Sequence, residues 1–336
     1  MTDSRGVEER VAHIAAPLGG TIGVAARNLA SGVEVHIAAD EPYPLASCFK
    51  VAVMVEVMRR VDAGTVRLDQ RLTLTEADKS PGSTLIHCHE GLRPTVRDLL
   101  FLMITLSDNT AADMLWRLVG LDSVNETMGA LGLSSIDCFM PSREYFLIGC
   151  GAGDEWAGLA APDIVARWRE LEAGGDGAAA LRRLLDENAR LGGASFRRLY
   201  ERRWGRDESV DYEEAFIIDQ ALDNRGSPRD MADLLATIAQ GRCASGPSCR
   251  LMLEVLAQQE WRERIPAGLP AGLLVANKTG SVAGTSNDAA IVVTPNGVPM
   301  VMVIFWKELD REATRRADAA IAAVAGVLHD HLGGPA

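Results

Sequence analysis

"SCFKVAVMVEVMRRVDAG", residues 47–64, decides how the rest of the chain is read. Its interior is apolar at helical spacing, a serine stands at its front and a glycine at its back. The stretch predicts a helix capped by Ser47 and stopped at Gly64. Lys50 then lies one turn beyond Ser47 on roughly the same face, with its ammonium in reach of the hydroxyl. Taken alone, such a pair is better explained as a helix cap beside a solvated lysine than as a nucleophile beside its base.

Upstream, "TIGVAARNL" (21–29) and "VEVHIA" (33–38) read as two strands around an "ASG" turn. Downstream, "TVRDLLFLMITLSD" (95–108) is a second helix capped by Thr95, and "TAADMLWRLVG" and "LDSVNETMGALG" are two shorter ones. From about 142 to 222 the chain becomes charged, Arg-rich and helical, with Ile164, Val165, Trp168 and Leu171 on one stripe. "SPRDMADLLATIAQG" (227–241) is a helix with Ser227 as cap and Pro228 at its first position. "GLLVANKTG", "DAAIVVTP" and "PMVMVIFW" then return to strands, and "ATRRADAAIAAVAGVL" closes the chain as a helix. Strands at both ends and helices between them predict an α/β (α+β) fold: one antiparallel sheet flanked by helices, plus an all-helical lobe, with the active site between them. The expected division is 1–46 together with 225–336 as the α/β domain and 47–224 as the helical domain, including a helical insertion or lid at about 142–222.

The 336 residues are 47% apolar and carry a formal net charge of −12, which disfavours nucleic acid and anionic membranes as partners. The basic run "FRRLYERRWGR" (196–206) is followed by "DESVDYEE", so a solvated helix surface is expected there. No stretch is long and apolar enough to span a bilayer, and the N-terminus lacks a basic-then-apolar leader, which predicts a cytoplasmic location. A trimmed form of a secreted protein would read alike. The six cysteines show no CxxC pairing and fit reduced thiols.

Two further stretches change the standing of Ser47 and Lys50. "SDN" (Ser107–Asp108–Asn109) follows an apolar helix, where a loop can present polar side chains. "KTG" (Lys278–Thr279–Gly280), followed by Ser281, ends a strand whose glycine permits close backbone approach. Each has an ordinary reading as a cap or turn. The order Ser-x-x-Lys, Ser-Asp-Asn, Lys-Thr-Gly at a helix start, an interhelical loop and a strand end resembles the serine β-lactamase and penicillin-binding-protein superfamily, most closely its class A β-lactamase-like branch. "PGSTLIHCHEGLRPTVRDLLFLMITLSDNTAADML", "RIPAGLP" and "NKTGSVAGTSNDAAIV" extend that similarity over most of the chain except about 142–222.

The resemblance implies roles. Ser47 would be the acylated nucleophile and Lys50 its activating partner. Ser107 would pass a proton to the leaving atom. Asn109 would bind the substrate's amide side chain and order Lys50, and Lys278 would hold a substrate carboxylate and tune the proton relay. Thr279 and Ser281 would bind the same carboxylate or carbonyl, Gly280 would let the strand approach, and the backbone N–H groups of Ser47 and Ser281 would form the oxyanion hole. It implies a serine acyl hydrolase acting on an amide, ester or β-lactam of a small molecule without metal or cofactor; the oligomeric state stays open. The sequence departs from the class A pattern where a glutamate should stand four residues before an asparagine: "VDYEEAFIIDQALDNRG" (210–226) holds Glu213 and Glu214, but Ile217 and Ile218 follow at that spacing. Two alternatives therefore accompany hydrolysis, a biosynthetic transacylase passing the acyl group to an amine and a β-lactam-binding sensor without turnover. "HCHE" (87–90) has metal-ligand residue types without a zinc spacing, so His87 and His89 are expected at the groove mouth; Cys48 is expected to face away from Lys50.

Overall fold

In chain order the elements are α1 (Arg5–Ala15), β1 (Thr21–Asn28), β2 (Glu34–Ile37), β3 (Tyr43–Pro44), α2 (Lys50–Asp62), α3 (Val96–Thr105), α4 (Asn109–Val119), α5 (Leu121–Ala130), α6 (Ser142–Gly149), α7 (Ala161–Ala173), α8 (Gly177–Glu187), α9 (Gly193–Trp204), α10 (Tyr212–Leu222), β4 (Arg225–Gly226), α11 (Pro228–Ala239), α12 (Gly246–Leu256), β5 (Leu274–Val282), β6 (Thr285–Val293), β7 (Pro299–Lys307) and α13 (Arg311–Gly333). The structure, a computed structural model, describes residues 5–204 and 212–333. The end of the basic run, 205–206, and the acidic residues 207–211 after it lie outside the described residues.

Both ends of the chain build one antiparallel sheet in the order β2-β1-β7-β6-β5, as the strand pattern predicts. Its middle strand shows why the sequence there is continuously apolar. β7 is covered on both faces, so alternate residues serve different cores. Val301, Val303 and Phe305 pack toward α2–α5, α11 and α12. Met300, Met302, Ile304 and Trp306 pack toward α1 and α13. β5 is left at the sheet edge, beside the turn that carries Ser47.

Residues 140–222 bury a third core of their own, with Trp156, Trp168, Phe196 and Ile218 from α7, α9, α10 and the loop before α7. Asp113 of α4 fastens this lobe to the rest: its carboxylate accepts from the N–H groups of Ser142 and Arg143, capping the start of α6. Glu76 does the same for the Gly193 N–H at the start of α9.

Caps read from sequence recur in the fold. Thr95 accepts from the Asp98 N–H and Ser227 from the Asp230 N–H. Two helices lie where sequence patterning suggested none, α1 and α12, while α6 and α10 fall inside the 142–222 stretch read as helical. α1 carries Arg5, Glu8, Glu9 and Arg10 among its 11 residues and buries Val7 and Val11, with Ile14 and Ala15 packed beside them. α10 occupies the stretch where the class A pattern places its glutamate. None of the six cysteines is in a disulfide, and Cys243 and Cys249 bring their sulfurs to 3.7 Å. Among the described residues no helix is long and apolar enough to cross a membrane.

Candidate active site

Ser47 does not cap α2. β3 pairs with β4, and the Leu45 N–H donates to the Asn224 carbonyl at 2.7 Å. Ala46 then takes a left-handed φ of 45°, and residues Ala46–Phe49 form a 3-10 turn that runs into α2. Phe49 holds the cap position of α2, and no side chain supplies a cap bond there. The strained turn replaces the expected cap and leaves the Ser47 hydroxyl free to face Lys50 Nζ, 3.1 Å away.

Lys50 is fully buried. Its Nζ also donates to the Ser107 carbonyl at 2.7 Å and to Asn109 Oδ1 at 2.6 Å, and lies 3.2 Å from Ser107 Oγ. From the opposite side Lys278 Nζ approaches the same Oγ at 3.1 Å and donates to the Thr279 carbonyl at 2.8 Å. Two ammonium groups on one hydroxyl repel each other, and both are buried away from the solvent that would screen them. Burial, and then the charge of Lys278, lowers the pKa of Lys50 to about 7. Burial likewise lowers Lys278 to about 8. A neutral Lys50 can take a proton from Ser47, which an ordinary lysine near neutral pH does not do.

The loop holding Ser107 is locked from below. Ser107 has a φ of 59°, and the buried Asp108 accepts from the Thr84, Leu85 and Ala111 N–H groups. Asn109 Nδ2 donates to the Pro81 carbonyl, which fixes its oxygen toward Lys50. Gly82, at φ +68°, passes so near that a Cβ there would sit 2.7 Å from Asn109 Nδ2. Gly280 serves the second wall: a Cβ on it would meet the Leu45 carbonyl at 2.6 Å and Ser47 N at 3.1 Å, so only glycine lets β5 run beside the Ser47 turn. Cys48 points away, its Sγ on the Lys278 carbonyl, and burial pushes its thiol up to about 12.

A groove of about 450 Å³ opens over these groups, walled by Ser47, Ser107, Asn109, Thr279 and Ser281. Sequence reasoning missed four of its residues, Arg264, Trp261, Tyr200 and Phe146. Arg264 sits behind the strand, donating to Ser281 Oγ at 2.5 Å and to the Gly280 carbonyl at 2.8 Å. Trp261 stands on the rim, 54% exposed. Tyr200 of α9 forms the facing rim with Phe146 of α6, edge to face. Arg264 lies in the quoted "RIPAGLP", so the signal was present, but nothing in spacing alone aims a guanidinium at Ser281. His87 lines a neighbouring cleft against Arg197, and among the described residues no group of three metal-ligand side chains converges.

The model of the beta-lactamase enzyme family matches residues 6–332. The chain is 26% identical to a beta-lactamase of Streptomyces albus G, over 97% of this chain and 84% of that protein. It is also 26% identical to a carbapenem-hydrolyzing beta-lactamase of Klebsiella oxytoca, over 97% and 89%. A beta-lactamase structure from Sphaerobacter thermophilus superposes with a TM-score of 0.71 at 28% identity, covering 99% of this chain and all of that one.

Proposed function

The chain belongs to the beta-lactamase enzyme family, and from that premise we propose how its groove performs serine acyl transfer and on what. The protein is a serine acyl hydrolase working through an acyl-enzyme on an amide, ester or β-lactam carbonyl. Neutral Lys50 takes the Ser47 proton as Oγ attacks the carbonyl carbon. The N–H groups of Ser47 and Ser281 receive the oxyanion; one such donor is worth ~10²–10³ in rate. Ser107, hydrogen-bonded to both lysines, passes a proton to the leaving atom. Lys278, Thr279 and Ser281 hold a substrate carboxylate, with Arg264 adding charge from behind. The observation that carries this reading is the shared Ser107 hydroxyl between two buried lysines, with Ser47 hydrogen-bonded to one of them.

The preferred substrate is larger than penicillin. Tyr200 and Phe146, both from the 140–222 lobe, wall the groove together with Trp261, and a lid of that kind excludes water and positions the acyl group. The test is stopped-flow hydrolysis with parallel intact-mass measurement, comparing benzylpenicillin with activated esters of bulkier acids. Benzylpenicillin is expected to give a burst and a slowly released adduct, and the bulkier esters faster turnover. A penicillin kcat on the order of 10² s⁻¹ or above would remove the size-selection reading.

A further inference from the structure

An acyl group on Ser47 is released only when something takes a proton from the attacking water. Glu213 and Glu214, the glutamates of the stretch where the base is expected, do not line the space beside Ser47; Glu213 faces a separate cleft with Phe216, Glu308 and Arg311. Another carboxylate does. Asp223, just past α10, lies on the wall of a cavity of about 80 Å³ shared with Ser47, Asn109, Ser142 and Tyr145. That space has room for about two or three waters at roughly 30 Å³ each. One Asp223 oxygen accepts the Ala46 N–H at 2.7 Å, which fixes the carboxyl one residue from the nucleophile.

Resting on the acyl-enzyme reading above, we propose that Asp223 is the general base of deacylation, holding the hydrolytic water in this cavity against the Ser47 ester. The water oxygen bonds to the acyl carbon while its proton moves to the Asp223 carboxylate. The C–Oγ bond then breaks, the proton passes on to Ser47 Oγ, and the acid product leaves. No other reactant is needed.

The surroundings of Asp223 bear on when it can act. Asp219 of α10 faces it and accepts hydrogen bonds from Tyr145 of α6 and from the Ala283 N–H. Lys50 of α2, Cys48 in the Ser47 turn and Cys138 before α6 also lie within its field. Burial pushes Asp223 up to about 8; Asp219 adds to the rise, and the Ala46 N–H and Lys50 oppose it. Ionised Asp223 therefore grows in population as pH rises through about 8, and the release rate should climb over the same interval.

The experiment follows adduct formation and loss on the full chain by intact mass, using benzylpenicillin as probe. Asp223→Asn keeps an acceptor for the Ala46 N–H and should acylate at the wild-type rate. Its release should slow by a factor on the order of 10² or more. Asp223→Glu should keep part of the release activity. If the Asn variant does not fold, Asp223→Glu decides: slowed release with wild-type acylation supports the assignment, and wild-type release overturns it. Wild-type release in Asp223→Asn also overturns it, with Ser47 acylation intact. Absence of any adduct on wild-type Ser47 overturns the acyl-enzyme reading, and this inference with it.

Discussion

Lys50 can act only in its neutral form, so its environment matters more than its reach. Its 2.6–3.2 Å contacts with Ser47, Ser107 and Asn109 would suit an ammonium equally well. Burial and Lys278 bring its pKa to about 7, so the acylation rate should rise with pH through about 7 as the lysine loses its proton. Arginine at this position stays charged, and Lys50→Arg should slow the acylation burst by ~10²–10⁴ with that pH step abolished. A near-normal burst in the variant would show that the proton goes elsewhere. Lys50 was legible in the sequence because it stands at a fixed offset from Ser47, an offset that the 3-10 turn running into α2 keeps. Asp223 and Arg264 were not: each reaches the site only through tertiary contact, with the Ala46 N–H and Ser281 Oγ respectively.

At the scale of elements, the junction of α4 and α6 holds the 140–222 lobe against the groove. Arg117 of α4 pairs with the buried Glu144 of α6 at 2.7 Å, beside Asp113, which caps α6. Burial pushes the Glu144 carboxyl up and Arg117 holds it down, so the pair depends on both members. Arg117→Met should cost about 3–5 kcal/mol, read as a fall in thermal midpoint, because it leaves a buried carboxylate without its cation. Adding Glu144→Met should recover most of the loss; an unchanged midpoint in the single variant would mean that the junction carries little. Helices with side-chain caps, such as α3 and α11, were visible in the sequence at their first residue. The Ser47 turn was misread because serine before an apolar run has the signature of a cap. What overrides it is the left-handed Ala46 and the hydrogen bond that ties Leu45 to Asn224. α10 lies in the stretch read as helical, but its bounds were not legible because "YEEAFIIDQAL" has apolar residues on too many sides for a clear stripe, Ala215, Ile218 and Leu222 serving the lobe core while Phe216 turns to another cleft.

For the whole molecule, the sheet joining both chain ends was legible because β7 reads as a two-faced apolar strand and β1–β2 as a hairpin. The lobe at 140–222 was legible as helical, but its aromatic contribution to the groove was not, since Phe146 and Tyr200 meet only across two separate helices. Every part of the account converges on one hydroxyl: β5 runs past it because of Gly280, the Ser107 loop aims a lysine at it, and Asp223 sits one residue from it. The direct measurement is covalent labelling with a fluorophosphonate or acylating probe, followed by peptide mapping, on the wild type and on Ser47→Ala. The account predicts a single adduct on the peptide containing Ser47, none in the variant, and the same circular dichroism and melting for both. Labelling that persists in Ser47→Ala, or that maps to another residue, would contradict it.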